Sequence, residues 1–456
     1  MTGVVAAPDP DVPTVVHLTW DLFSAPGENW VEYGEGTLDQ ESPHAPAGNT
    51  ATLLGLKAGH TYQYRVVVQT EGGDRLASAI GELGLAAPPP ELPAFITTTE
   101  VQSAVEPGGF VLTSLLQDGA SWIVVLDRDG DYVWYLPSDE GMTVPGVRLD
   151  ADGTGLVYLQ SGNVSDSGVR GVVHQPFDGG PRTVSWVDDA HHDAVQLPDG
   201  RMAFLREYAV ADVELEDGER VDLANDEIVA VPEGAGSEAE AEVLFSFLDD
   251  YGHPPWRTCD HFDGNSLGGG KDWVHANSLM VDEAGASLLV MSKNLDALVA
   301  VPLGGGRPLW QAGGRFGDLV DVDGDTLDPD AAAEVDGPNG TWWSHGHMSH
   351  AWDGGFLVFD NGYHHDPTVS RVVEYTFDPD AGTLQKTWEF TSETRQFLPL
   401  LGDAQKLPSG NVLISWTLQG LLTEVTPDGE VAWRAEAELG AGTSRVRWLP
   451  DLYGGR

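Results

Sequence analysis

The chain is poor in cysteine and in positive charge. Its 456 residues include one cysteine, Cys259, and five lysines, and 72 acidic side chains stand against 23 basic ones. A single cysteine excludes a disulfide within the chain. The formal net charge of -49 repels nucleic acids and anionic membrane surfaces, so neither is an expected partner. A cation buried in a pocket of so acidic a chain would therefore be informative.

Long apolar stretches are also missing. The sequence has no apolar run of about 18 residues, so it predicts no membrane span. The first residues, MTGVVAAPDPDVP, have neither the basic segment nor the apolar segment of a secretory leader. We interpret the chain as a periplasmic or extracellular protein whose leader is absent from this sequence, and a cytoplasmic location stays open.

Turn residues are abundant and predict an all-β chain. The sequence contains 56 glycines and 29 prolines, many of the glycines in D-G pairs. Short alternating segments such as VVHLTWDL (15–22) and YQYRVVVQTEGG (62–73) predict a small β-sandwich that resembles a fibronectin type III domain. The proline-rich stretch AAPPPELP (86–93) reads as a stiff linker. We therefore predict one domain over 1–95 and a second over 96–456.

A strand-turn-strand unit recurs through the second domain. We identify six copies, with insertions between some of them, and repeated units of about four strands are typical of a β-propeller. The copies start at GGFVLTSLL (108–116), GVRLDADGTGL (146–156), HHDAVQLPDG (191–200), HANSLMVDEAG (275–285), HMSHAWDGG (347–355) and GDAQKLPSG (402–410). The prediction is a six-bladed β-propeller preceded by the small sandwich.

Histidines occupy matching places in three of these units. His192 and His347 each stand eight residues before the turn glycine, and His275 stands ten before its own. The innermost strands of a propeller begin at the central channel, so matching positions converge on one axis. We therefore expect these three histidines to share a site. His350 and His345 fall out of register, and we interpret them as supporting or packing residues.

Three imidazoles at one site allow two chemistries. They can bind a catalytic metal with an open position, or one can act as a nucleophile while the others move protons. Lys293 and Arg371 follow two of the histidines along the chain. Such cations would oppose zinc binding, whereas they suit an anionic substrate.

Several stretches carry a family resemblance. DWVHANS (272–278), HMSHAWDGGFLVFDNG (347–362), SRVVEYTFD (370–378) and the closing segment from GDAQKLPSG resemble the bacterial arylsulfate sulfotransferases. The resemblance covers about residues 100–456, and the sandwich is similar to the small β domain of that family. It implies a six-bladed propeller that moves a sulfuryl group from an aryl sulfate to a phenol without a nucleotide donor or a cofactor.

The same resemblance assigns roles to the histidines. It implies that His347 is the nucleophile, forming a sulfohistidine in a ping-pong reaction, and that His275 and His192 support it. Where the family has a sulfate-clamping arginine, this chain has Lys293. Lysine keeps the charge but lacks the planar fork that binds two oxygens at once. The affinity for the aryl sulfate donor is therefore the property that we expect this replacement to affect most.

Further candidates complete the predicted site. Substrate-binding candidates are Asn277 for the sulfuryl oxygens, Trp342 and Trp343 as an apolar wall, and Arg371, His350 and Arg445 as further contacts. The alternating acids Asp321, Asp323 and Asp325 are weak candidates for a structural calcium ion. No catalytic metal is predicted.

Two other functions stay open at this point. A metal-dependent enzyme with three histidine ligands would need a stoichiometric metal ion. A non-catalytic propeller would bind a ligand or partner and turn over no sulfate ester. A homodimer is compatible with either of them and with a transferase.

Overall fold

The structure is a computed structural model. It describes residues 2–21, 27–46, 48–117, 120–161, 170–264, 266, 268–282, 285–321, 342–352, 354–378, 380–392 and 394–454. Within these ranges the regular elements are β-strands and five short 3-10 helices, at Gln102–Ala104, Glu238–Glu240, Asp260–Asp263, Thr417–Gln419 and Glu438–Gly440. No helix in the described part of the chain is long and apolar enough to span a membrane.

The N-terminal domain is formed by two antiparallel sheets. Its strands are β1 (Val5–Pro8), β2 (Val16–Thr19), β3 (Gly27–Gly34), β4 (Gln40–Glu41), β5 (Ala45–Pro46), β6 (Thr50–Leu53), β7 (Thr61–Thr70), β8 (Arg75–Ala77) and β9 (Gly81–Gly84). One sheet has the order β1-β2-β6, and the other is built around β4-β3-β7-β8. Val16 and Leu18 alternate into a core that they share with Trp20. The likeness to fibronectin type III domains stays a prediction.

The remaining strands run from residue 95 to residue 449. They are β10 (Phe95–Thr99), β11 (Phe110–Gln117), β12 (Ala120–Leu126), β13 (Tyr132–Pro137), β14 (Val147–Leu149), β15 (Gly155–Ser161), β16 (Arg170–Pro176), β17 (Thr183–Val187), β18 (Ala190–Gln196), β19 (Met202–Glu214), β20 (Arg220–Val231), β21 (Glu242–Ser246) and β22 (Ala276–Val281). They continue with β23 (Ser287–Ser292), β24 (Ala297–Pro302), β25 (Trp310–Gly313), β26 (Val320–Asp321), β27 (Met348–Trp352), β28 (Gly355–Asp360), β29 (Arg371–Asp378), β30 (Thr383–Thr391), β31 (Asp403–Lys406), β32 (Val412–Trp416), β33 (Leu421–Val425), β34 (Val431–Ala437) and β35 (Gly442–Leu449).

These strands form six antiparallel blades, which confirms the predicted six-bladed propeller. Blade 1 has the order β13-β12-β11-β35, and blades 2, 3 and 4 follow as β14 to β17, β18 to β21 and β22 to β25. Blade 5 contains β27 to β30 and blade 6 contains β31 to β34. Blade strands are buried on both faces and read as continuous apolar runs, such as the LLVM of β23.

Both ends of the propeller sequence help to close the ring. The C-terminal strand β35 pairs with β11, Phe110 opposite Leu449, so the last strand becomes the innermost strand of the first blade. At the other end, β10 pairs with β34 on the outer edge of blade 6. The repeat pattern places the start of the first unit at residue 108, and the structure shows that this unit lacks its own inner strand.

The sandwich contacts the propeller through apolar groups, since Val12 and Leu54 share a buried core with Ile123 and Trp134, and also through polar and ionic groups. Lys57 lies within 2.6–3.2 Å of the carboxylates of Asp127, Asp129 and Asp131 in the turn between β12 and β13. The hydroxyl of Tyr453, beyond β35, accepts a hydrogen bond from the backbone N–H of Leu54 at 2.9 Å. The lysine ammonium group therefore lies where a bound cation would otherwise lie among these three carboxylates.

Candidate active site

The three histidines in matching repeat positions meet at the propeller axis. The ring centroid of His192, in β18, lies 5.1 Å from that of His275 and 6.1 Å from that of His347. His275 directly precedes β22 and His347 directly precedes β27. Three consecutive blades therefore deliver one imidazole each to the same place.

Two of these histidines sit on unusual backbone. His192 and His275 have φ values of 54° and 52°, in the left-handed region. The ladder of blade 3 skips residues between His191 and Ala194, and that of blade 4 skips Asn277, so each histidine borders a bulge. Such a backbone costs on the order of 1–3 kcal/mol per residue and is typical of functional sites.

His275 is oriented by a buried carboxylate. Its Nδ1 lies 2.8 Å from Oδ2 of Asp272, which is 7% exposed. Burial acts to raise the pKa of Asp272, but the hydrogen bond with His275 and the charge of Lys293 hold the pKa below its usual value. The ionised Asp272 fixes Nδ1 as the protonated nitrogen when the ring is neutral, which leaves Nε2 of His275 able to exchange a proton with a bound substrate.

His347 is a buried, neutral imidazole. It is 5% exposed, and its Nδ1 is enclosed with no hydrogen-bond partner among the described residues. Burial lowers its pKa well below the usual range, and the charges of Arg445 and Lys293 act in the same direction. The ring therefore keeps a free lone pair at neutral pH.

His192 contacts a fourth histidine. Its Nδ1 lies 2.7 Å from Nδ1 of His191, whose Nε2 is 3.0 Å from the buried carboxylate of Asp226. Burial lowers the pKa of His192 well below its usual value, and neighbouring imidazoles add to the effect. Burial also raises the pKa of Asp226 to about 8. A chain of titratable groups thus runs from the axis into blade 3.

Arginines and aspartates fill the axis beside the histidines. Asp193 accepts hydrogen bonds from Arg148 at 2.7 Å and lies 2.8 Å from Arg445. Asp403 lies 2.8 Å from Arg447. Three guanidinium groups therefore face two carboxylates, which leaves one excess positive charge in a chain of net charge -49. An anion at the axis would meet a favourable potential.

Lys293 lies beside this site, close enough for its charge to act on Asp272 and His347. Its backbone N–H donates to the carbonyl of His275 at 3.1 Å, and its Nζ lies 5.7 Å from the ring centroid of Tyr363. Burial lowers the pKa of Lys293, opposed chiefly by the charge of Asp272. No ion pair with Lys293 is found among the described residues, so its ammonium group is available to an anion.

Arg371 is predicted as a substrate contact, but in the structure its guanidinium group is paired with groups of the protein. It is 1% exposed, and its guanidinium binds Asp360 at 2.8 Å, Glu389 at 3.1 Å and the carbonyl of Trp342 at 2.7 Å. Asp360 also accepts a hydrogen bond from the backbone N–H of Ser344. The FDNG and SRVVEY motifs therefore hold the segment that leads to His347.

Four further candidates have structural partners. Trp342 and Trp343 are 5% and 3% exposed and pack with Tyr375 between blades 4 and 5, so they do not form an open apolar wall. Asn277 donates to the carbonyl of Gly346 at 3.0 Å, beside His347. His350 accepts a hydrogen bond from the backbone N–H of Lys406 at 3.3 Å, and burial lowers its pKa to about 3.

The remaining candidates are Arg445 and the three aspartates of the predicted calcium site. Arg445 reaches the axis, where its Nη1 also lies 2.6 Å from the sulfur of Met348. The calcium candidates Asp323 and Asp325 lie outside the described residues, and for Asp321 only the backbone, in β26, belongs to them. Calcium binding there stays a prediction.

Sequence reasoning missed several polar residues at the axis. Asp272, His191, Asp193 and Arg148 all contact members of the site. Asp272 stands three residues before His275 and His191 directly before His192, so a search of the histidines' neighbours would have found both. Arg148 pairs with Asp193 across two blades, and no local pattern marks that contact.

The fold and the site together define a six-bladed propeller with a histidine site on its axis, beside buried cations. Residues 96–442, more than half of the chain, match the model of the arylsulfotransferase (ASST) family. The chain therefore belongs to the arylsulfotransferase family. It is also 22% identical over 329 residues to arylsulfate sulfotransferase AssT of Escherichia coli, which covers 60% of this chain and 54% of that protein. The chain thus spans about half the length of this curated relative.

Comparison with solved structures finds other proteins at low similarity. The β-propeller domain of Cps50 (Swd1) from Myceliophteria thermophila has a TM-score of 0.40 at 10% identity, covering 78% of this chain and 93% of that one. The periplasmic gluconolactonase PpgL of Pseudomonas aeruginosa has a TM-score of 0.39 at 14% identity, covering 75% and 99%.

Proposed function

We propose that the protein is an aryl sulfotransferase that moves a sulfuryl group from an aryl sulfate to a phenol through a sulfohistidine on His347. Family membership supports the class of reaction. The observation that carries the residue assignment is the meeting of His192, His275 and His347 at one axis, beside Lys293 and Arg445. Periplasmic or extracellular action is part of this proposal.

In the first half-reaction, Nε2 of His347 attacks the sulfur of the donor. A sulfur–nitrogen bond forms, the bond from sulfur to the aryl oxygen breaks, and its electron pair leaves with the phenolate. Nδ1 of His347 is enclosed, which is why we assign the attack to Nε2. By analogy with phosphoryl transfer, positioning and charge supply most of the rate. Lys293 and Arg445 act on the sulfuryl oxygens.

His275 handles the proton. Asp272 holds its Nδ1–H, so a doubly protonated His275 donates its Nε2 proton to the departing phenolate, and the neutral ring that results takes a proton from the acceptor phenol at the same nitrogen. In the second half-reaction the acceptor oxygen attacks the same sulfur and the sulfur–nitrogen bond breaks. His347 returns to its starting form. Asn277 maintains the backbone next to the nucleophile through Gly346.

The test is the release of nitrophenolate from 4-nitrophenyl sulfate, with and without phenol, before and after dialysis against EDTA. We expect release that requires phenol, phenyl sulfate as the second product, and activity that survives EDTA. A metal enzyme with three axial histidine ligands would lose its activity. The described residues give this rival no direct support, because His192, His275 and His347 do not bring one ring nitrogen each within 4.8 Å of the other two. A binding module would release no nitrophenolate under any condition.

Lys293→Met is expected to lower kcat/KM for 4-nitrophenyl sulfate by about 10²- to 10³-fold. The substitution removes the cation beside the site while keeping a side chain of similar length, and one preorganised charge contact is worth about that much in rate. Steady-state kinetics with phenol as acceptor measure the effect.

Lys293→Arg is the matched variant for this prediction. It keeps the charge and adds the planar fork, so its kcat/KM should stay within about tenfold of the wild type or exceed it. Lys271→Met, which removes a half-exposed lysine paired with Asp263, should leave the rate unchanged. Equal rates for Lys293→Met and Lys271→Met would remove Lys293 from the proposed site.

A further inference from the structure

One cysteine and three histidines form a second cluster, close to the axis but separate from the triad. Cys259 and His261 come from the long connection between blades 3 and 4. His345 precedes β27, and His364 lies in the turn between β28 and β29. One side-chain ligand atom from each of the four lies within 4.8 Å of the other three. The proposed sulfuryl transfer makes no use of Cys259, His261 or His364.

The distances within the cluster match a tetrahedral metal site. Sγ of Cys259 is 3.6 Å from Nε2 of His345 and 3.8 Å from Nδ1 of His261. Nε2 of His345 is 3.0 Å from Nε2 of His364. Zinc bonds of about 2.3 Å to sulfur and about 2.0 Å to nitrogen give tetrahedral edges of about 3.6 Å between sulfur and nitrogen and about 3.3 Å between two nitrogens. These three of the six separations lie within a few tenths of an ångström of the edges, and the other three are no longer than 4.8 Å.

The chemistry of the four groups favours the same kind of ion. One thiolate and three neutral imidazoles are typical ligands of zinc and similar divalent transition metals, whereas calcium and magnesium require oxygen. His345 is 1% exposed and has φ of 54°, and its backbone N–H donates to the carboxylate of Asp296. Its ring is therefore held on the cluster without a metal.

Some of the charges around the cluster oppose the binding of a cation, and others favour it. Lys293 lies near these imidazoles and acts against a cation. The Cys259 thiolate and Asp260 act in favour of one. Oδ1 of Asp260 also lies 3.1 Å from Nδ1 of His261, but its side chain is 80% exposed and can turn into solvent when a metal binds. By contrast, the three carboxylates of Asp127, Asp129 and Asp131 already surround the ammonium group of Lys57.

We propose that Cys259, His261, His345 and His364 bind one zinc-type divalent transition metal ion in a closed tetrahedral site. The ion takes one ligand bond from each residue, and the Cys259 thiol releases its proton to solvent. All four positions are filled by protein, which is typical of a structural site rather than a catalytic one. The ion would tie the blade 3–4 connection to the segment that carries His347, two residues beyond His345.

The experiment loads the metal-free full-length chain with Zn²⁺ and, separately, with Co²⁺. After removal of excess metal we expect about one ion per chain by elemental analysis. The cobalt form should show the thiolate-to-cobalt charge-transfer band and the intense visible bands of tetrahedral cobalt. Zinc should also raise the Tm in proportion to the logarithm of its free concentration.

Variants assign the ion to these four residues. Cys259→Ser and His364→Ala should each lower zinc affinity by at least about 100-fold, and Cys259→Ser should also lose the charge-transfer band. Their Tm without metal should equal that of the metal-free wild type, which shows that they fold. His253→Gln, a histidine of the same connection that stacks on Phe316, and His192→Gln should bind zinc like the wild type.

Three results would overturn the proposal. In the first, the wild type binds no zinc. In the second, Cys259→Ser binds zinc with the affinity of the wild type. In the third, His192→Gln loses the metal while Cys259→Ser retains it. The last result would place the ion at the axial triad and would count against the sulfohistidine mechanism as well. Since metal content and the cobalt spectrum need no substrate, failure of the metal site and failure of the transferase are distinguished.

Discussion

His347→Ala is expected to lower the turnover of 4-nitrophenyl sulfate by about 10⁴- to 10⁶-fold, the range seen when a covalent nucleophile is removed. His347 combines a neutral, buried imidazole with the nearby charges of Arg445 and Lys293. The residual rate would come from binding and charge alone. Steady-state kinetics measure the loss. Rapid quench of the wild type with donor alone in an alkaline denaturant, followed by peptide mass spectrometry at neutral to alkaline pH, should show the sulfuryl group on His347.

A glycine at position 347 allows the role of the imidazole to be tested by chemical rescue. His347→Gly leaves room for free imidazole, which should restore part of the nitrophenolate release and appear as sulfated imidazole. The same addition should not restore Lys293→Met, because that variant lacks a cation rather than a nucleophile. His253→Gln, outside the site, serves as the histidine control. Near wild-type turnover by His347→Ala would rule out its role as nucleophile.

The axial site of three histidines is predictable from sequence, because a propeller brings matching positions of its repeats to the same axis. His192, His275 and His347 are far apart in the chain, yet each begins the inner strand of its blade. The register on the turn glycines is sufficient to find them, although the bulges shift the local pairing by a residue or two. The number of blades follows from the same repeats.

The rest of the site depends on contacts that leave no local pattern. Arg447, like the predicted Arg445, reaches the axis because β35 closes the first blade, and the sequence shows β35 only as the last strand. Arg371 is a cation in a family motif, which suggests substrate binding, but Asp360 and Glu389 neutralise it. The Cys259 cluster combines an insertion with two segments of another blade. In each case the decisive partner is distant in sequence.

Among the residues named at the axis, Asp193 is the one whose substitution should lower the free energy of unfolding most. It is 3% exposed and accepts hydrogen bonds from Arg148, while Arg445 lies 2.8 Å away and the N–H of Leu279 donates to it at 2.6 Å. Burial acts to raise the pKa of Asp193, but the charges of Arg148 and Arg445 outweigh it and the pKa is lowered. One carboxylate therefore compensates two buried guanidinium groups from blades 1 and 2.

Asp193→Asn is expected to lower the free energy of unfolding by about 3–5 kcal/mol at pH 7, because it leaves two buried cations without their partner. Asp139→Asn, at a half-exposed pair with Arg182, should cost no more than about 1 kcal/mol. Guanidinium unfolding measures both. Since the folded pKa of Asp193 is depressed, its contribution is present above about pH 4 and lost as the pH falls through the folded value, so the difference between wild type and variant should shrink in acid. Adding Arg148→Met to Asp193→Asn should recover part of the loss. If both aspartate variants cost the same, the axial charge cluster is open to water and Asp193 is not what holds the arginines in place.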